Sequence, residues 1–199
     1  SFYKGFYDTL QEVQEETALR TWVFRSGKDG KVYFREEDLI AGDPFWMDEK
    51  GSPILPLGTV TIEETKAPEG YNRNEEIFLR QITASGDGAK VETYESPAIP
   101  EDVIRGDLEL IKVYQPEDEK EDTLEGIEGV VFSITSKTTG EEVMRIETDE
   151  MGRADTKSKD HPRGGLVYDT YIVEEIQTPD GYNAIQPFEV AIQQENTVV

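Results

Sequence analysis

Residues 62–72, Ile62-Glu63-Glu64-Thr65-Lys66-Ala67-Pro68-Glu69-Gly70-Tyr71-Asn72, recur as Val173-Glu174-Glu175-Ile176-Gln177-Thr178-Pro179-Asp180-Gly181-Tyr182-Asn183 at a constant offset of 111 positions. One long match at so large an offset means two copies of one domain, because the units of solenoids are far shorter. Each copy closes an alternating run. Val60, Ile62 and Glu64 fall on one face of a strand in the first, and Tyr171, Val173 and Glu175 on one face in the second.

The same period of two runs through most of the chain. Asp107 to Tyr114 puts Leu108, Leu110, Lys112 and Tyr114 on one face, and further strands are expected at 19–25, 31–34, 76–82, 90–94, 129–135, 143–148, 167–175 and 187–193. Helical periodicity is confined to short turns at Asp8–Ala18 and Arg35–Ile40. Many short strands separated by Gly, Asn, Asp and Pro clusters predict an all-β chain of antiparallel sandwiches. The Pro-containing stretch Glu95–Gly106 reads as a linker, giving domains at 1–105 and 106–199 with Val60, Ile62, Leu108, Leu110, Phe132, Ile134, Tyr171 and Val173 in their cores.

Composition narrows the function. Forty-three acidic against 20 basic residues give a net charge of -23, which repels phosphate backbones and anionic headgroups, so neither nucleic acid nor membrane insertion is expected. The absence of cysteine removes disulfides, thiol catalysis and thiolate metal sites, and the single His161 builds no zinc site. No apolar run approaches membrane-spanning length and the chain opens with no leader, so it reads as an internal, monomeric piece of something longer. No cofactor motif, serine elbow or phosphate loop occurs, and turnover catalysis is not expected.

The pattern E-x-x-x-P-x-G-Y after an alternating strand resembles the signature of the Cna B-type, or SpaA-type, prealbumin-like domains of Gram-positive adhesins and pilins. Arg105–Val113 resembles the family's first strand, Val131-Phe132-Ser133-Ile134 its second, and Thr148–Gly152 and Ser26–Gly30 its central turn. The resemblance implies two tandem prealbumin-like, inverse immunoglobulin-like sandwiches in a secreted, cell-wall-anchored surface protein, serving as a stalk or spacer. It also implies an internal amide cross-link, in which a first-strand lysine attacks an Asn or Asp on the last strand while a buried glutamate moves protons. Lys112 and Glu175 are the matching residues, both on apolar faces, where burial lowers a lysine pKa and raises that of a glutamate. Periodicity alone leaves equally open a lysine that snorkels to the rim and a glutamate held by backbone donors.

The acceptor is less legible. Strand counting from the first copy puts it near position 205, beyond Val199; Asn196 is the candidate within the sequence, but it aligns with the turn of the 84–89 hairpin. The second domain is thus expected to stop before or within its last strand. In the first copy Glu64 matches Glu175, but the acceptor position reads Thr93-Tyr94-Glu95 and the first strand with its lysine would precede Ser1, so Glu64 is expected to be unused.

One feature belongs to the first copy alone. The inserted loop 43–57 carries Phe45 and Trp46, and their exposure would suit docking of a host extracellular protein, whereas their burial would suit a spacer. The tripeptide Arg105-Gly106-Asp107 leads straight into a strand, and the acidic clusters 43–49, 117–122 and 149–155 lack calcium-loop spacing. All are read as structural.

Overall fold

The computed structural model describes residues 1–85, 90–91, 99–115 and 124–199. Strands follow one another as β1 (Phe2–Tyr3), β2 (Trp22–Phe24), β3 (Leu39–Gly42), β4 (Trp46–Met47), β5 (Pro53–Ile54), β6 (Gly58–Glu63), β7 (Tyr71–Asn72) and β8 (Ile77–Ile82). Next come β9 (Ala84–Ser85), β10 (Lys90–Val91), β11 (Asp102–Val103), β12 (Arg105–Asp107), β13 (Glu109–Ile111), β14 (Val113–Tyr114) and β15 (Glu125–Gly126). The chain continues through β16 (Val131–Ser136), β17 (Glu142–Glu147), β18 (Arg153–Asp155), β19 (Leu166–Val167), β20 (Asp169–Gln177), β21 (Phe188–Ile192) and β22 (Thr197–Val198). The all-β expectation holds, and the backbone gathers into two compact units, Ser1–Thr65 with Asn74–Pro100, and Lys66–Arg73 with Glu101–Val199.

In the first unit, β6 is the centre of a three-stranded sheet in the order β1-β6-β8. Helix α1 (Leu10–Gln14) starts where the sequence Thr-x-x-Glu dictates: the Thr9 hydroxyl accepts from the Glu12 amide, and the Glu12 carboxylate accepts from the Thr9 amide at 3.2 Å. The inserted loop is a hairpin, β4 against β5, closed by the Asp48 carboxylate, which accepts from the amides of Lys50 and Ser52. Two expectations fail here. Residues 31–34 form no strand, since the turn bond from the Arg35 amide to the Tyr33 carbonyl breaks the extension and Phe34 packs on Phe45 instead. Val60 is only half-buried and Ile62 is exposed, whereas Thr59 is buried completely, because its hydroxyl bridges the Tyr7 amide and the Gly5 carbonyl on the opposite face.

The second unit follows the expected alternation closely. Its main sheet is antiparallel in the order β17-β16-β20-β21, and its core packs Leu108, Phe132, Ile134, Ile146, Tyr171, Val173 and Ile192 together with the partly buried Leu110. Full burial of each large apolar side chain contributes about 1.5–3 kcal/mol, so this cluster dominates the unit's stability. The first strand region, 105–114, changes partners along its length, pairing through β12 with β19 and β22, through β13 with β18, and through β14 with β15. The β12–β22 pairing is parallel. The turn 66–73 belongs to this unit: β7 pairs β11, and the Tyr168 hydroxyl donates to Glu69 at 2.8 Å.

Tight backbone contact fixes the path around Lys112. Gly152 has φ +74°, and a Cβ there would lie 2.1 Å from the Lys112 carbonyl oxygen. Gly152→Ala is therefore expected to cost the second unit about 2–4 kcal/mol, through left-handed strain plus displaced backbone. Urea unfolding of the variant checks this.

Candidate functional site

β20 alternates Tyr171, Val173 and Glu175 into the core, and the opposing first strand does the same with Leu108, Leu110 and Lys112. At the end of these two rows the Lys112 Nζ donates to Glu175 Oε2 at 2.9 Å, with the side chains 12% and 0% exposed. The lysine reaches the glutamate instead of the rim, so the structure brings together the two residues that alternation placed on facing surfaces.

Glu175 has two further donors that the sequence reading did not name. The Ile185 amide donates to Oε2 at 3.0 Å and the Thr178 hydroxyl to Oε1 at 2.8 Å. Burial pushes the carboxyl upward, but the Ile185 amide, Lys112 and Thr178 outweigh it and hold the group below the ordinary glutamate value. This corrects the expected raised pKa of Glu175, whose hydrogen bonds favour the carboxylate. The stability it contributes is complete above the ordinary range near 4.5 and is lost as pH falls through the depressed folded value. Glu175→Gln should accordingly flatten the acid limb of the melting temperature against pH below the ordinary glutamate value of 4.5, relative to the parent chain.

The backbone donor has a signature in the repeat. In the first copy the Asn74 amide donates to Glu64 Oε2 at 2.7 Å, ten residues on, as Ile185 lies ten residues after Glu175. Between them the Pro-x-Gly-Tyr turns match: the Tyr71 amide bonds the Pro68 carbonyl with Gly70 at φ +87°, and the Tyr182 amide bonds the Pro179 carbonyl with Gly181 at φ +88°. A type II turn needs glycine at this position, and it folds the chain back so that the later amide reaches the carboxylate.

Asn196 lies elsewhere. It occupies an exposed turn with φ 55°, and its amide donates to the Arg105 carbonyl at 2.8 Å. Arg105 is seven residues before Lys112, about 23 Å away at the rise of a strand. The structure does not bring Asn196 to Lys112. The first-copy positions Thr93-Tyr94-Glu95, part of the linker 95–106 and the acidic stretch 117–122 lie outside the described residues.

The docking residues expected in the inserted loop are turned inward. Phe45 is 8% exposed, packed between Trp22, Phe24 and Phe34, with the Phe34 ring centroid 4.6 Å away. Trp46 is half-buried, edge-on to Phe2 at 5.0 Å and covered by the Arg20 guanidinium at 3.8 Å from its ring centre. The loop's aromatics thus fill the unit's own core. Asp107 is equally occupied, accepting from the Thr156 hydroxyl and the Gly165 amide, both at 2.9 Å, so the Arg-Gly-Asp tripeptide is built into the fold. The Asp149 carboxylate is spent on the amides of Met151 and Arg153.

Comparison with known proteins agrees with the fold. Residues 111–199 match the family model of the SpaA prealbumin-like fold domain. No curated protein matches the chain. Among solved structures it is similar to the Bacillus anthracis TIE protein, with 20% identity and a TM-score of 0.56 over 91% of this chain and 30% of that one. At this identity the likeness concerns the fold, and the chain spans less than a third of its neighbour.

Proposed function

With residues 111–199 a SpaA-type prealbumin-like domain, a non-enzymatic module typical of Gram-positive surface proteins, we propose that the chain is a stalk segment of a cell-wall-anchored adhesin or pilin-like protein. In this reading its two units are tandem modules, and the second is stapled by an amide between Lys112 and a side chain on its last strand. The buried contact of Lys112 with Glu175 carries the proposal. A spacer alone has no use for a desolvated ion pair, which hydrophobic residues of the same size would replace without loss.

The chemistry follows from the contact. Proton transfer along the 2.9 Å hydrogen bond leaves a neutral amine on Lys112 and an acid on Glu175. The amine nitrogen attacks the side-chain carbonyl carbon of an asparagine, the new C–N bond forms, and the bond to the amide nitrogen breaks. Lys112 gives up two protons in all. One passes through Glu175 to complete the departing ammonia, and the other leaves with it as ammonium. The product is a neutral amide where a buried cation stood.

The ladder also favours an acceptor downstream of Val199. Gly106 pairs Thr197 and Asp107 pairs Val198 in parallel, and the Glu109 amide donates to the Val199 carbonyl. In this register about position 203 stands opposite Lys112 on the same face, close to the 205 of strand counting. A chain lengthened past Val199 by its natural residues tests the proposal. Its intact mass should fall short by about 17 Da, the ammonia lost in acyl substitution, and Lys112→Ala should restore it. Full mass in the lengthened parent chain would remove the staple.

A further inference from the structure

The Glu175 carboxylate owes one of its donors to a segment with little to hold it. Residues 178–187 form no strand and 180–189 are exposed throughout, yet the Ile185 amide from this segment donates to Glu175 Oε2 at 3.0 Å. An amide in such a place trades its carboxylate for water unless the chain around it is anchored. In the first copy the matching turn is anchored by pairing: Tyr71 opposes Val103 on β11, the Ile104 amide donates to the Gly70 carbonyl, and Glu69 accepts from Tyr168. In the second copy the matching tyrosine has another partner. The Tyr182 ring meets the Tyr114 ring edge-on, with centroids 5.3 Å apart and planes at 67°. Tyr114 is itself fixed, since it packs against the core, its strand β14 pairs β15, and its hydroxyl donates to Glu125. It stands two residues past Lys112 and, like it, turns toward the core, while Tyr182 stands three residues before Ile185. The two rings therefore join the segment that carries the lysine to the segment that carries the amide, and both groups converge on Oε2.

We propose that Tyr182 is a positioning residue for Glu175: clamped against Tyr114, its ring holds the turn so that the Ile185 amide stays on the carboxylate oxygen that meets Lys112. An edge-to-face pair gives the held turn about a tenfold preference over the released one. Release hands that side of Oε2 to water, and the oxygen that accepts the lysine proton loses its fixed place. Lys112 is the charged group on that oxygen, Thr178 binds the other oxygen, and Glu125 is taken up by the Tyr114 hydroxyl. The need for a fixed proton carrier rests on the cross-linking reading, but the clamp itself is read out in residues 1–199 with no reaction taking place.

Amide hydrogen exchange and a carbon-13 titration of the Glu175 carboxyl, both in residues 1–199, test the clamp. Tyr182→Ala should speed exchange of the Ile185 amide about tenfold and move the Glu175 midpoint upward, because burial then acts on a carboxylate with one donor fewer. Tyr182→Phe keeps the ring and should match the parent chain in both measurements. The Val173 amide, in the centre of the sheet, should exchange alike in all three chains. Unchanged Ile185 exchange and titration in Tyr182→Ala overturn the proposal, as does a Tyr182→Phe variant that behaves like Tyr182→Ala. Equal acceleration at Val173 also overturns it, since the ring would then serve stability alone. Full mass in the chain lengthened past Val199 removes the staple without moving these readouts, which keeps the two failures apart.

Discussion

Glu175→Ala is expected to destabilise the second unit by about 3–5 kcal/mol in the chain as described, before any cross-linking. The substitution strands the Lys112 ammonium, 12% exposed, beside a cavity, and leaves the Ile185 amide and Thr178 hydroxyl without their acceptor. A unit of this size is stable by only about 5–15 kcal/mol, so the loss is a large share of the whole. Lys112→Met combined with Glu175→Leu should recover most of it, because two well-packed apolar side chains replace the pair without a desolvated charge. Urea unfolding of the single and double variants separates the cost of stranding a charge from the worth of the pair. A double variant as unstable as Glu175→Ala would mean that the carboxylate's hydrogen bonds to Ile185 and Thr178 matter more than its lysine.

Phe45→Ala should cost the first unit about 3–5 kcal/mol, the range for an aromatic removed from a packed core. The ring is 8% exposed and lies against Trp22, Phe24 and Phe34, so truncation opens a void that the rigid neighbouring rings cannot close. A residue held out for a partner would give a different result, with stability unchanged and binding lost. Melting of the variant decides between these, and a shift of less than about a degree would restore the loop as a contact surface.

What the sequence made legible follows from how strongly each segment commits its two faces. In β20 and the first strand region, large apolar residues alternate with charged ones, so the inward positions of Tyr171, Val173, Glu175, Leu108 and Lys112 could be read directly, and with them the meeting of lysine and glutamate. β6 commits less. Thr59 and Thr61 alternate with Val60 and Ile62, and a threonine whose hydroxyl finds the Tyr7 amide and the Gly5 carbonyl buries as readily as a valine. Apolar content therefore misread the buried face. The carboxylate's charge state was also out of reach, because it depends on the Ile185 amide, a donor brought back by the turn at Pro179–Tyr182 and carrying no side-chain signal. The equal ten-residue spacing of Glu64 to Asn74 and Glu175 to Ile185 shows that the repeat holds this bond in both copies. Asn196 misleads for a simpler reason: an amide of the right type occupies a left-handed turn, where asparagine serves the backbone.

The proposed role of Lys112 as a nucleophile held ready by Glu175 is open to peptide mapping of the chain lengthened past Val199. After tryptic digestion, cleavage after Lys112 should fail and fragmentation should find a branched species joining Lys112 to a residue near position 203, about 17 Da lighter than its two linear parts. The same digest of the Glu175→Ala variant should yield only linear peptides with normal cleavage after Lys112. A linear, cleaved Lys112 peptide from the lengthened parent chain would rule out the cross-link and leave the buried pair with a structural role alone.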